Sequence, residues 1–176
     1  MPTRAYYDQY NELNHRLDQL VTFGTETLQS QGYQAIAQTR SFVDQYAGEF
    51  STLLPHKTVA TRAGLGWIGK SALLVTEEFG SMIRISTLLT DAPLATAQPI
   101  NQSRCGDCRI CKDVCPARAI SGKVWSVSIP RDSFYNAAAC RQAARARSLQ
   151  GLGIEISLCG KCIEACPYTR RYLDEV

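Results

Sequence analysis

Apolar residues recur with helical spacing from residue 5 to residue 30. Tyr10, Leu13, Leu17, Leu20, Val21 and Leu28 fall along one stripe, and Glu12 can pair with Arg16 one turn later. Thr3 suits the cap of this helix, His15 lies off the stripe as a solvated side chain, and Gly32 closes it. Tyr33 to Ala37 reads as a strand, whereas 39–54 is mixed and sets no element. Further on, Ala72 to Thr76 and the alternating run Ser81 to Thr90 read as two strands joined at Glu77 to Gly80, a β-hairpin. Residues 91–104, with Pro93 and Pro99, have the character of a linker. Beyond it come a turn at Ser121 to Lys123, a short strand around Trp125, and a helix starting near Asp132. That helix carries Ala137, Ala138, Ala139, Cys140, Ala143 and Ala144. The expected fold class is α+β. A small α/β region with a β-hairpin occupies 1–98. All eight cysteines follow, four of them as Cys-x2-Cys-x2-Cys-x3-Cys-Pro from Cys105, so a bacterial-type two-cluster ferredoxin-like module is expected over 99–176.

Composition narrows the class. Of the 176 residues 45% are hydrophobic and 20% charged, which excludes a disordered chain and allows a real core. The start Met-Pro-Thr-Arg has no apolar signal region, and no apolar run approaches the length of a membrane span. The expected location is the cytoplasm, with no membrane partner. There, a thiol-rich chain is expected to hold its cysteines as metal ligands or redox groups. The formal charge of +3 is too small to imply nucleic acid by itself. Each 4Fe–4S cluster with four thiolates adds about −2, so two of them would bring the total to about −1.

All eight cysteines lie at or beyond Cys105. The first motif, Cys105-x2-Cys108-x2-Cys111-x3-Cys115-Pro116, has the bacterial ferredoxin spacing. Three cysteines wrap one cubane, and the fourth crosses to another. The second, Cys159-x2-Cys162-x3-Cys166-Pro167, is one cysteine short, and Cys140 completes the count. The expected ligand sets are Cys105, Cys108, Cys111 and Cys166 for cluster one, and Cys115, Cys140, Cys159 and Cys162 for cluster two. Structural zinc on four thiolates is the plainer alternative, but it has no need of the paired ferredoxin spacing. Arg141, Arg145 and Arg147 flank Cys140, and Lys161, Arg170 and Arg171 flank the second motif. They suit charge balance for the clusters better than contact with RNA phosphates or an acidic redox partner.

The segment Gly64-Leu65-Gly66-Trp67-Ile68-Gly69-Lys70-Ser71 matches both GxGxxG and the phosphate-loop pattern GxxxxGK[ST]. Both patterns need a buried strand before and a helix after. Here Lys57 to Ala63 reads as a helix turn, a strand-like run follows, and Trp67 and Ile68 are bulky for a phosphate cradle. A nucleotide-dependent activator therefore rests on the pattern alone. The plain reading is a glycine-rich turn packed beneath Trp67.

Several pieces occur together in one order. They are Leu54-Pro55-His56-Lys57, Ala63 to Lys70, the run Leu88-Leu89-Thr90-Asp91-Ala92-Pro93-Leu94, and the ferredoxin motif with its displaced Cys140. This combination resembles the epoxyqueuosine reductase family over about residues 54–168. The resemblance implies an iron–sulfur, cobalamin-dependent reductase that removes an epoxide oxygen from a modified nucleoside of transfer RNA. It also implies a more distant kinship with corrinoid reductive dehalogenases. On that basis Gly64, Gly66, Trp67, Ile68, Gly69, Lys70 and Ser71 would help form a corrin pocket, and a cluster would pass electrons to cobalt. A low-potential donor such as a flavodoxin or ferredoxin is the implied partner.

The sequence departs from the family in two ways. The family's chains are much longer, with N-terminal structure that encloses the corrin and a C-terminal region that holds RNA, so a shortened or divergent relative is expected. Their catalytic aspartate lies in a Val-Asp-Ser motif shortly before the Ala-Gly-Leu-Gly stretch; the corresponding place here is Phe50 and Ser51. His56, Glu49 and Asp44 are the substitute acids, and His56 has the most useful ordinary pKa. Three functions compete: a cobalamin-linked reductase, an electron-transfer protein with no substrate of its own, and the nucleotide-dependent activator.

Overall fold

A computed structural model describes residues 1–45, 47–48 and 50–175. The first helix, α1 (Arg4–Ser30), starts where the Oγ1 of Thr3 accepts the Tyr6 amide at 3.2 Å, and Glu12 pairs with Arg16 at 2.8 Å. Its buried residues are Val21 and Thr25; Leu20, on the expected stripe, is 63% exposed. The chain turns at Gly32 (φ +90°) into β1 (Ala35–Gln38), which pairs antiparallel with β6 (Thr87–Thr90), Ala35 opposite Thr90. A Cβ on Gly24 would lie 2.9 Å from Leu88, so helix and ladder are in close contact. Two short elements follow, α2 (Arg40–Gln45) and the antiparallel pair β2 (Ala47–Gly48) with β3 (Ser51–Thr52).

The helix turn expected before the glycine loop is α3 (His56–Arg62). The loop leads into β4 (Trp67–Ile68), which pairs with β5 (Leu74–Val75). Glycine is required at 66 because a Cβ there would sit 2.3 Å from the Val75 carbonyl oxygen. The expected hairpin of Ala72–Thr76 with Ser81–Thr90 does not form. Thr76 and Gly80 make a single bridge, residues 81–86 hold no strand, and β6 pairs with β1 instead. The reason lies in tertiary contacts. Gly80 (φ +59°) packs against Thr169, whose Oγ1 accepts the Ser81 amide at 3.1 Å. Arg84 is drawn to α1, stacking on Tyr10 and bonding Asn14.

The linker is laid down on α3. The Ile100 amide donates to Thr61 O, and Arg62 Nη2 donates to Ile100 O at 2.7 Å. Near Trp125 there is an isolated bridge, Gln102 to Ser126, in place of a strand. The helix expected from Asp132 starts later. A 3-10 turn (Arg131–Ser133) precedes α5 (Ala137–Leu152), capped by Asn136 Oδ1 on the Ala139 amide at 2.9 Å. Residues from both sides of 98 share one core. Ile68 and Ala72 pack with Phe134, flanked by Trp125, Ile129 and Tyr135.

Two glycine variants test this packing. Gly66→Ala is expected to lower the unfolding free energy by about 3 kcal/mol, because strand backbone must move. Gly153→Ala, at φ +71° but in open space, is expected to cost only about 1 kcal/mol. Urea unfolding of both variants measures the difference, and equal losses would contradict the account.

Candidate iron–sulfur centre

The first motif wraps tightly because Gly106 takes φ +48° and the Cys108 amide donates to Cys105 O at 3.1 Å. A single turn, α4 (Ile110–Asp113), carries Cys111. Cys115 follows, and its Sγ accepts the Ala119 amide at 3.4 Å. The second motif repeats the construction. Gly160 (φ +77°) opens α6 (Lys161–Glu164), and Cys166 caps α7 (Pro167–Asp174) with proline at its start. The approach to Cys159 is fixed by Ser148, fully buried, whose Oγ lies 2.7–2.9 Å from the carbonyls of Ala144, Ile156 and Leu158.

All eight cysteines are free and half-buried. Cys105, Cys108, Cys111, Cys162 and Cys166 line one cavity of about 470 Å³. The Cys111 thiol is pushed up to about 11, first by burial and then by the neighbouring Cys105, Cys108 and Cys166. Cys162 is pushed up to about 12 by burial, then by Cys140 and Cys159, with Cys111 and Cys115 contributing. Burial also raises Cys140; the Tyr135 hydroxyl bonded to its sulfur opposes this, and Cys115 and Cys159 add to it. Cys166 of the second motif is thus among the neighbours of Cys111, and Cys115 of the first is among those of Cys140 and Cys162. Among the described residues no three His, Cys, Asp or Glu side chains converge on a single-ion site. Thiols ringing a cavity fit the corners of a cubane better than one tetrahedral ion.

The glycine loop borders this cavity from inside the fold. Gly69, Lys70 and Ser71 line it, and Trp67, Ile68, Lys70 and Ser71 are all at least nine-tenths buried. Lys70 Nζ donates to Gly106 O at 2.7 Å and Cys108 O at 2.8 Å. A helix precedes the loop and a strand follows, so the nucleotide reading is corrected: the fold is reversed and the lysine is engaged. The space a bare glycine face would offer is filled by Gln98 at Gly64 and by Val75 at Gly66 and Gly69. The loop touches the cluster cavity, and only its Gly64 and Leu65 end reaches solvent. Trp67 packs edge-on to Tyr168 with centroids 5.0 Å apart, and its buried Nε1 has no hydrogen-bond partner among the described residues.

Of the substitute acids, His56 and Asp44 stand away from the cavity. His56 is half-buried, with Nδ1 2.9 Å from Thr87 Oγ1; burial lowers its pKa and Asp18 partly offsets this. Asp44 is exposed beside Arg40, and Glu49 lies outside the described residues. The flanking cations are largely engaged. Arg145 pairs with Glu155 at 2.9 Å, Lys161 with Glu164 at 2.8 Å, and Arg141 lies over the Phe50 ring. Tyr135, Ser148 and Thr169 had no sequence signal, being ordinary residues whose roles arise from distant contacts. Lys70 did carry a signal, but its pattern named the wrong partner.

Comparison with known proteins agrees with this construction. Residues 104–169 match a family model described as a 4Fe-4S double cluster binding domain, which places this stretch in the class of iron–sulfur cluster-binding domains. The chain is, more particularly, a relative of the epoxyqueuosine reductases. It is 31% identical over 171 residues to the epoxyqueuosine reductase of Salmonella typhimurium, covering 96% of this chain and 42% of that protein. To the Bacillus anthracis enzyme it is 34% identical over 113 residues, covering 64% of this chain and 26% of that one. A crystal structure of epoxyqueuosine reductase with an epoxyqueuosine-modified tRNA-Tyr stem loop superposes with a TM-score of 0.58 at 26% identity. That match covers 91% of this chain and 38% of that one. The chain therefore spans well under half the length of these relatives. Among the described residues no helix is long and apolar enough to cross a membrane.

The two raised thiols give a direct test on the metal-free chain. A thiolate is the reactive form, so a raised pKa slows alkylation at neutral pH. Alkylation rates followed by mass spectrometry across pH are expected to place Cys111 near 11 and Cys162 near 12, against 9.0 for an ordinary thiol. All eight titrating at the ordinary value would contradict the geometry.

Proposed function

We propose that the chain is the electron-conducting part of an epoxyqueuosine reductase-like oxidoreductase. In this reading Cys105, Cys108, Cys111 and Cys166 hold cluster one, and Cys115, Cys140, Cys159 and Cys162 hold cluster two. The observation that carries it is the shared cavity: Cys166 of the second motif lines it together with Cys105, Cys108 and Cys111 of the first, with Cys162 also on its wall and Cys115 not. When bound, the clusters supply one-electron chemistry. The chain's own residues bind, orient and insulate them. Residues 1–98 support the module at 99–176 through the common core. The Ala119 amide and the Tyr135 hydroxyl donate to sulfurs of cluster two, and Arg104 and Arg171 stand at the cavity of cluster one.

A low-potential one-electron donor is the partner this arrangement calls for. Modified transfer RNA is the substrate class that the relative crystallised with a stem loop suggests for the whole protein. Within this chain, Arg145 and Lys161 are paired with carboxylates, and we assign them to charge balance. Cobalamin is the acceptor implied by kinship, but no step is derived through it because the glycine loop is buried. That burial favours a second reading, in which these residues act as an electron carrier with no substrate of their own.

Anaerobic reconstitution separates the readings. Cys115→Ser is expected to lose cluster two and keep cluster one, and Cys166→Ser the reverse, as read by electron paramagnetic resonance. Each variant losing the cluster of its own motif instead would overturn the crossing. Added cobalamin is expected to wash off the reconstituted chain. Stoichiometric retention with a base-off cob(II)alamin signal would reinstate the loop as a corrin cradle.

A further inference from the structure

Lys70 is 4% exposed, and its ammonium donates to the carbonyls of Gly106 and Cys108, both in the turn that carries the first two cysteines. Among the described residues no carboxylate pairs with it. Two neutral carbonyls orient a cation without neutralising it, and an uncompensated charge in a dry site is costly. The compensating charge has an evident place, because Lys70 lines the same cavity as Cys105, Cys108, Cys111 and Cys166. The backbone beside it comes close as well: a Cβ on Gly69 would lie 3.7 Å from Cys105 Sγ. A cubane on four thiolates goes from about −2 to about −3 when it accepts one electron. A nearby buried cation favours the more negative state.

We propose that Lys70 is a positioning residue for cluster one, fixing the turn from Gly106 to Cys108 and raising the cluster's reduction potential. The inference rests on the ligand sets given under the proposed function. The electron comes from a low-potential one-electron carrier, no bond is made or broken, and the added charge is balanced by the ammonium already in place. Cluster two has a different arrangement. Its sulfurs accept hydrogen bonds from Ala119 and Tyr135, and nearby Lys161 is already paired with Glu164. The effect is therefore confined to cluster one.

The test uses the full chain, reconstituted anaerobically, as wild type, Lys70→Met, Lys70→Gln and Lys70→Arg. Iron and sulfide analysis counts clusters, and a potentiometric titration followed by electron paramagnetic resonance reads each potential. A Cys140→Ser background leaves cluster one alone for assignment. Lys70→Met and Lys70→Gln are expected to make cluster one at least tenfold harder to reduce, about 59 mV for one electron, with cluster two unmoved. Lys70→Arg, which keeps the charge, is expected to stay near wild type. Lys70→Gln keeps donors for both carbonyls, so it carries the test if the methionine variant does not fold. Selective loss of cluster one in Lys70→Gln, with cluster two retained, also supports the positioning role. Two clusters with unmoved potentials in Lys70→Gln would overturn the proposal. A wild-type chain that assembles no cluster one would instead overturn the ligand sets.

Discussion

Thiolates crowded together away from water repel one another, and the rest of this chain is arranged around that fact. Burial and mutual proximity push Cys111 up to about 11 and Cys162 up to about 12, so without a metal these groups stay protonated. A cluster reverses the preference, because iron draws the ligands as thiolates. Metal binding and local folding are coupled in such a site. Each of these two thiols has neighbours from both cysteine motifs: Cys111 has Cys166, and Cys162 has Cys111 and Cys115.

What holds the thiol loops in place is the cysteine-free front of the chain. Lys70 grips the turn between Cys105 and Cys108, Trp67 packs on Tyr168 beside Cys166, and the Ser81 amide is held by Thr169 on the same helix. Phe79 adds an edge contact to Tyr172 at 5.3 Å. Both cysteine motifs are thus tied to one short stretch, residues 66–81. That explains why the glycine loop is buried. Its glycines let the backbone pass close to Val75 and Cys105, a need that a corrin or phosphate cradle would not impose.

Much of this was legible in the residues. The capped first helix, its Glu12–Arg16 pair, the helix before the glycine loop and the cysteine spacing all express local rules, and local rules survive folding. The hairpin was misread because alternation in 81–90 looked like a strand, whereas Arg84 and Gly80 are committed to α1 and Thr169. The glycine loop is the packed turn that its plain reading expects, whereas its phosphate-loop pattern misleads for a related reason. The pattern recorded a lysine after close-packed glycines, but not that the lysine's acceptors lie 36 and 38 residues further on. Tyr135 and Ser148 were invisible, since nothing near them in the sequence marks a distant sulfur or carbonyl.

The most direct test of the two-cluster account is Mössbauer spectroscopy of the wild-type chain reconstituted with ⁵⁷Fe, alongside iron and sulfide analysis. The account predicts about eight iron and about eight sulfide per chain, all in cubane signals. A colourless chain holding zinc on its thiols, or iron equivalent to a single cluster, would contradict it.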